Sequence, residues 1–218
     1  MAVVLEGFHA VKHALRFAPS LVRRITAVDP AAARELCERL APDVLPAFGA
    51  QLVEGPTDHP TGVAGLADRP PDDRTVLSRR TAPLVVLDDP RHPGNAGAAV
   101  RVAAAAGASG VAVVGSLDPW HPAVIRGSAG LHFALPVLAA GVTELTGEVW
   151  ALDAGGAPLA AVPDDVVLVV GSERAGVSPS LRERADRVVS LPMREGVSSL
   201  NLATALSAAL YAWRLSGR

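Results

Sequence analysis

A single cysteine, Cys37, stands in 218 residues, so no internal disulfide and no Cys-x-x-Cys metal pair can form. That absence excludes an oxidised scaffold and a structural zinc, and it suits a reducing, cytoplasmic compartment. Lysine is equally scarce: Lys12 is alone, and every other member of the 20 basic residues is arginine. Aromatic residues make up only 4%, which leaves Ala, Val and Leu to fill the interior. No uncharged apolar run reaches the roughly 20 residues that cross a bilayer. Glu6, His9, Lys12 and His13 interrupt the opening stretch, so neither an export signal nor a membrane span is expected. Charge of one sign is missing too, with 20 basic residues against 22 acidic and a net charge of −2. Over residues 81–218 the count is 10 against 12. A polyanion-binding chain usually shows a strongly basic balance, so any grip on nucleic acid here must come from a local patch.

What the chain does have is 50% hydrophobic and 19% charged residues, enough to bury a core and too apolar for a disordered polyelectrolyte. From Gly7 the positions Phe8, Val11, Leu15 and Ala18 recur at helical spacing. Leu21 to Val28 reads as a strand, Ala33, Leu36, Cys37 and Leu40 form a second helical stripe, and Gln51–Val53 and Val63–Leu66 offer further short strands. The reading is a small α/β unit over residues 1–70, with His59-Pro60-Thr61-Gly62 as a solvated turn. A segment rich in proline and charge, from Asp68 to Arg74, has the composition of a linker, placed at residues 71–81. Beyond it come continuous apolar runs at Leu84–Leu87, Val111–Val114, Val149–Leu152, Val166–Val170 and Val188–Leu191. Runs apolar on both faces suit a parallel sheet covered by helices, so residues 82–218 form a second α/β unit. Its first helix is expected over Ala98–Ala106 with Gly107 as a left-handed cap, and its last from Ser198 or Ser199 with Leu202, Leu206, Leu210 and Trp213 on one stripe.

Ligands of open parallel sheets bind beyond the carboxyl ends of the strands. Three such ends carry polar groups. The first runs Asp88-Asp89-Pro90-Arg91-His92-Pro93-Gly94-Asn95-Ala96-Gly97 and on to Arg101, expected about one helical turn into the following helix. It offers either a phosphate or ribose site at a helix N-terminus or a tight turn with Arg101 paired to Asp88 or Asp89. The second is Gly171-Ser172-Glu173-Arg174-Ala175-Gly176, where a glycine permits close backbone approach beside a carboxylate. The third is Leu191-Pro192-Met193-Arg194-Glu195-Gly196-Val197-Ser198-Ser199-Leu200-Asn201, a proline-fixed segment with exposed backbone groups. His92 and His121 sit beside prolines and read as turn residues. Trp120 and Trp213 suit base stacking or internal packing alike.

Taken together, Asn95-x-Gly97-x-x-x-Arg101, Gly171-Ser172-Glu173-x-x-Gly176 and Leu191-Pro192-Met193 with Ser199-Leu200-Asn201 resemble the three motifs of the SpoU/TrmH family of RNA ribose 2′-O-methyltransferases, of the SPOUT superfamily. Asp118-Pro119-Trp120-His121-Pro122 and Arg126-Gly127-Ser128-Ala129-Gly130 extend the likeness over residues 84–215. Gly7-Phe8-His9-Ala10-Val11 looks like the start of the ribosomal-protein-like substrate-binding domain found before many such enzymes. The resemblance implies a parallel-sheet SPOUT domain whose C-terminal chain forms a trefoil knot, working as a homodimer on RNA. rRNA is favoured over tRNA, and a non-catalytic knotted RNA-binding module is the rival of another class. S-adenosylmethionine would be the cofactor, held by Leu152, Asp153, Gly171, Ser172, Leu191, Met193 and Leu200. Arg101, Asn95, Glu173, Ser199 and Asn201 would act on the ribose, and no metal is implied.

Overall fold

The computed structural model describes residues 1–172 and 175–216. Two sheets divide the chain. The first has strand order β1-β4-β2-β3, built from β1 (Ala2–Glu6), β2 (Val22–Ala27), β3 (Leu52–Glu54) and β4 (Val63–Asp68). β4 runs antiparallel to both β1 and β2, and β3 joins β2 in parallel. The helices α1 (Phe8–Phe17), α2 (Pro30–Leu40) and α3 (Leu45–Gln51) accompany this sheet. β1 and α3 extend the elements read from the sequence. α2 starts where the Asp29 carboxylate accepts from the amides of Ala31 and Ala32 and Pro30 occupies the first turn, an N-terminus specified by two adjacent residues.

The second sheet is six-stranded and wholly parallel, in the order β10-β8-β9-β5-β6-β7. Its strands are β5 (Leu84–Asp88), β6 (Gly110–Val114), β7 (Val137–Ala139), β8 (Val149–Pro158), β9 (Val167–Val170) and β10 (Arg187–Ser190). Every residue of β5 and of β9 is buried, as expected for central strands covered on both faces. The helices are α4 (Pro93–Ala106), α5 (Pro122–Gly127), α6 (Pro179–Arg184) and α7 (Leu202–Ser216). α4 begins at Pro93 rather than Ala98, because proline pre-sets the helical φ at the first position and Asn95 and Gly97 then continue the turn. It ends at Gly107 in the left-handed conformation (φ 79°), as its sequence predicts. Gly97 lies where α4 crosses α5, and a Cβ there would stand 2.7 Å from Cα of Gly127. That contact gives the first-motif glycine a packing role.

The two units share a core. Trp120, Ile125 and Phe133, from the second unit, are buried with Phe8, Val11, Ile25 and Phe48 of the first. Across the same seam Arg126 pairs with Glu6 at 2.6 Å, His13 Nδ1–H donates to the Ala129 carbonyl at 2.7 Å, and the Arg69 guanidinium lies 5.3 Å over the Trp120 ring. The stretch read as a linker is also tied down: Val76 and Leu77 are buried under the second sheet, and Arg80 donates to the carbonyls of Leu77, Thr146 and Asp165.

Candidate functional site

The middle of β8, the carboxyl ends of β9 and β10 and the start of α7 enclose one cavity of about 320 Å³. Its lining includes all seven residues that the motif reading gives to a cofactor: Leu152 and Asp153 from β8, Gly171 and Ser172 after β9, Leu191 and Met193 after β10, and Leu200 before α7. These positions are scattered over some 50 residues of sequence and meet because the middle of β8, where Leu152 pairs with Val170, lies beside the carboxyl ends of β9 and β10. Gly171 is there by necessity. A Cβ on it would run into the backbone of Gly176 and Val177, which lie close because Ser172 and Gly176 are joined by paired backbone hydrogen bonds of 3.0 Å.

The lining divides into an apolar part, with Val170, Leu152, Leu191, Met193 and Leu200, and a polar part with Asp153, Ser198 and Ser199. A concave pocket of this size, lined about equally by apolar and polar surface, suits a compound of nucleoside size. Asp153 is held in place: its Oδ1 accepts from the Gly155 amide at 3.0 Å, and its Oδ2 pairs with Arg182 of α6. Arg182 stands 29 residues further along and lies outside all three motifs, so no spacing rule points to it. Asp88, at the end of β5, is similarly concealed from sequence reasoning. It is buried, and it accepts from the Ser178 amide at 2.5 Å across 90 residues, anchoring the chain that leaves the Gly171–Gly176 turn.

Beside the cavity the first and third motifs meet directly, the amide Nδ2 of Asn201 donating to Oδ1 of Asn95 at 3.4 Å. Asn201 also caps α7, its Oδ1 accepting from the amides of Ala203 (2.9 Å) and Thr204 (3.4 Å). The helix therefore begins at Leu202, and the cap is Asn201 rather than Ser198 or Ser199, which are exposed in the segment before it. Ser199 lines the cavity, and Glu173 lies outside the described residues.

Arg101 is placed differently from the sequence reading. It lies two turns into α4, not one, because that helix begins at Pro93. Six positions beyond Asn95, it is about 9 Å along the axis and roughly 120° around it. It is exposed and is absent from the cavity lining. Neither Asp88 nor Asp89 pairs with it, since Asp88 holds Ser178 and Asp89 holds Arg91 at 2.7 Å. Within one chain, then, Asn95 and Asn201 adjoin the cavity while Arg101 stands apart from it.

The remaining candidates are structural. His59 is half-buried, its Nδ1 bonded to the Thr61 hydroxyl at 2.9 Å and its ring set directly on Gly7, so it is packed rather than solvated. His121 caps α5 by accepting from the Ala123 amide. Trp120 and Trp213 are buried with their indole N–H groups given to the Val137 carbonyl and the Asp164 carboxylate, and neither ring is available to a base. Among the described residues no cluster of three or more metal-ligating side chains exists, and no helix is long and apolar enough to cross a membrane.

Residues 82–211 match the SpoU rRNA Methylase family. The chain is 35% identical over 200 residues, 82% of its length and 68% of the relative's, to a 23S rRNA (uridine(2479)-2'-O)-methyltransferase of Streptomyces viridochromogenes. It is 28% identical over 225 residues, covering 95% of this chain and 86% of the other, to the 23S rRNA (guanosine(2553)-2'-O)-methyltransferase RlmP of Bacillus subtilis. The crystal structure of the SpoU methyltransferase AviRb from Streptomyces viridochromogenes in complex with AdoMet superposes with a TM-score of 0.80 at 26% identity, over 99% of this chain and 90% of that one. With its three motifs on three strand ends and more than half its length inside the family's boundaries, this chain belongs to the SpoU rRNA methylase family.

Proposed function

We propose that the protein methylates a ribose 2′-hydroxyl of 23S rRNA with S-adenosylmethionine as donor. The observation that carries the reading is the convergence of Leu152, Asp153, Gly171, Ser172, Leu191, Met193 and Leu200 on one cavity that adjoins the Asn95–Asn201 pair. The cavity fits the cofactor's chemistry: the apolar side chains of Leu152, Val170, Leu191 and Leu200 suit an adenine, and the Asp153 carboxylate, fixed by Arg182, suits hydroxyl or ammonium donors. The two curated relatives named above act on a uridine and a guanosine, which suits a site that reads the ribose and leaves the base outside.

When bound, S-adenosylmethionine supplies a sulfonium methyl and leaves as a neutral thioether, so the chain's task is chiefly to position the attacking oxygen. Asn95, Ser199 and Asn201 orient the ribose at the cavity mouth, with Glu173 assigned to the same task by the second motif. Guanidinium carries only N–H donors and no acceptor, so Arg101 is not assigned the part of a base. Its role is to clamp the neighbouring phosphate and offset the negative charge that develops on the 2′-oxygen as its proton leaves. Because Arg101 stands off the cavity within one chain, we read the site as completed across a homodimer. Exposed Tyr211 and Leu215 on α7, with Val197 and Leu200 before it, supply an apolar face for the second copy. The same reading includes a C-terminal trefoil knot, a substrate-binding unit over residues 1–70 joined by residues 71–81 to the methyltransferase unit over 82–218, and a cytoplasmic site of action.

The test is methyl transfer from labelled S-adenosylmethionine to unmodified total RNA, followed by separation of rRNA from tRNA and alkaline digestion. Label in alkali-resistant dinucleotides from rRNA is the expected result. The same product from tRNA would move the substrate assignment, and no transfer to either RNA would overturn the catalytic reading.

A further inference from the structure

α1 turns one face to solvent along His9, Lys12 and Arg16, three and four residues apart and hence aligned on successive turns. Its buried side, with Phe8 and Val11, packs with Phe133 of the second unit, and His13, flanking the solvent face, donates to the Ala129 carbonyl. The short turn Leu131–Phe133 packs against both α1 and α4, so the two helices are neighbours on this side of the molecule. The charge of Arg101 reaches both His9 and Lys12: the Lys12 ammonium is held below the usual lysine range by partial burial first, then by Arg16 and Arg101, with Asp43 opposing them. His9 is lowered by burial, then by Lys12, Arg101 and His59, which favours its neutral form. Asp43 is already engaged by Arg16 through two contacts of 2.6 and 2.7 Å. Among the described residues Lys12 is in no ion pair, and neither is Arg101.

Lys12 and Arg101 are thus two cations with no ion-pair partner among the described residues, while Asp43 is taken by Arg16, and an anion between them would be stabilised. The chain also places its one lysine here, where a compact ammonium on a flexible stem can follow a phosphate without imposing the forked geometry of arginine. We propose that Lys12 is a substrate-contacting residue, its ammonium taking an RNA backbone phosphate adjacent to the one held by Arg101 of the same chain. The first unit would thus guide the RNA strand over α1 toward the ribose to be methylated. This inference rests on the ribose-methylation reading above and names the surface that delivers its substrate.

The experiment uses the full-length chain and transcribed 23S rRNA. Lys12→Ala, Lys12→Arg and wild type are compared for RNA affinity from 50 to 300 mM KCl, alongside S-adenosylmethionine affinity and turnover. Loss of one phosphate contact is expected to weaken binding about fivefold at low salt and to flatten the slope of log K against log salt by about 0.7–0.9. Lys12→Arg should restore the slope, and cofactor affinity should stay unchanged. A second readout needs no variant. Since Lys12 is the only lysine, amine acylation followed by mass spectrometry reports this one side chain, and rRNA should protect it. An unchanged salt slope, an unprotected Lys12, or a fall in kcat at unaltered RNA affinity would each overturn the assignment. Absence of methyl transfer by wild type would instead remove the reading it rests on.

Discussion

His132 offers a stability measurement whose size follows from its surroundings. The ring is 1% exposed, packs 4.9 Å from the Trp120 ring, and is bonded at both nitrogens: Nε2 to the Pro119 carbonyl at 2.9 Å and Nδ1 to the Ser128 hydroxyl at 2.7 Å. A carbonyl only accepts, so Nε2 carries the proton and the neutral ring accepts from Ser128. An imidazolium would also find acceptors, because the Ser128 hydroxyl could turn to the Ile125 carbonyl at 2.9 Å. The charge would nevertheless sit in apolar surroundings. Burial is the largest influence, Pro119 and Asp118 oppose it, Arg69 adds to it, and the pKa is pushed down from 6.5 to about 4. The unfolded chain therefore binds the proton first, and stability falls as the pH drops from about 6.5 to about 4. The gap between those two values sets a limit of roughly 3 kcal/mol, of which about 2 kcal/mol is lost by pH 5. For a chain of this length that is a fall in Tm of about 4–8 °C. Urea unfolding of wild type and His132→Gln at pH 7.5, 6, 5 and 4 isolates the effect, because the other histidines and the depressed carboxylates of Asp43, Glu144 and Asp186 are common to both proteins. The variant should be less stable at pH 7.5, and the gap should close toward pH 4. A gap independent of pH would show that the pocket accepts the imidazolium and would refute the argument.

Gly171→Ala forces the Gly176–Val177 backbone away from the cavity floor, and S-adenosylmethionine affinity measured by calorimetry should fall at least 100-fold, with a stability cost of about 1–3 kcal/mol. Arg101→Ala should lower kcat by about 100-fold while cofactor affinity stays within twofold, a split that single-turnover kinetics will resolve. Asn201→Ala removes the α7 cap and the contact to Asn95, and is expected to cost about 1 kcal/mol in denaturant unfolding together with a larger proportional loss of turnover. Trp120→Phe keeps most of the ring but leaves the Val137 carbonyl without its indole donor and weakens the stack under Arg69. About 1–3 kcal/mol of destabilisation should appear as a lower urea midpoint.

The second sheet was legible because its strands are short apolar runs, and the structure places β5, β6 and β9 within a residue of those runs. β1 escaped the reading because alternating Val3 and Leu5 with exposed Val4 is a weak pattern at the start of a chain, and β7 is only three residues long. Helix starts were less legible than helix ends. Gly107 announces a C-terminus by its own backbone, whereas Pro93 and Asn201 compete with neighbouring serines and glycines for the same duty. The cavity lining was readable from motifs at strand ends. Arg182 and Asp88, which hold that lining in place, were not, since each acts across a distance in sequence that no periodicity spans. The place of Arg101 beside α1 depended on how two units dock, a tertiary fact with no local signature.

That docking has a consequence for engineering and for descent. Because Trp120, Ile125 and Phe133 complete the interior of the first unit, that unit cut out alone would present a hole where three large side chains belong. A chimera that exchanges residues 1–70 for those of another family member should fold only if residues 118–133 travel with them. Exchanges of the first unit on this scaffold therefore have to be inherited as a pair of segments, and that unit is no detachable cassette.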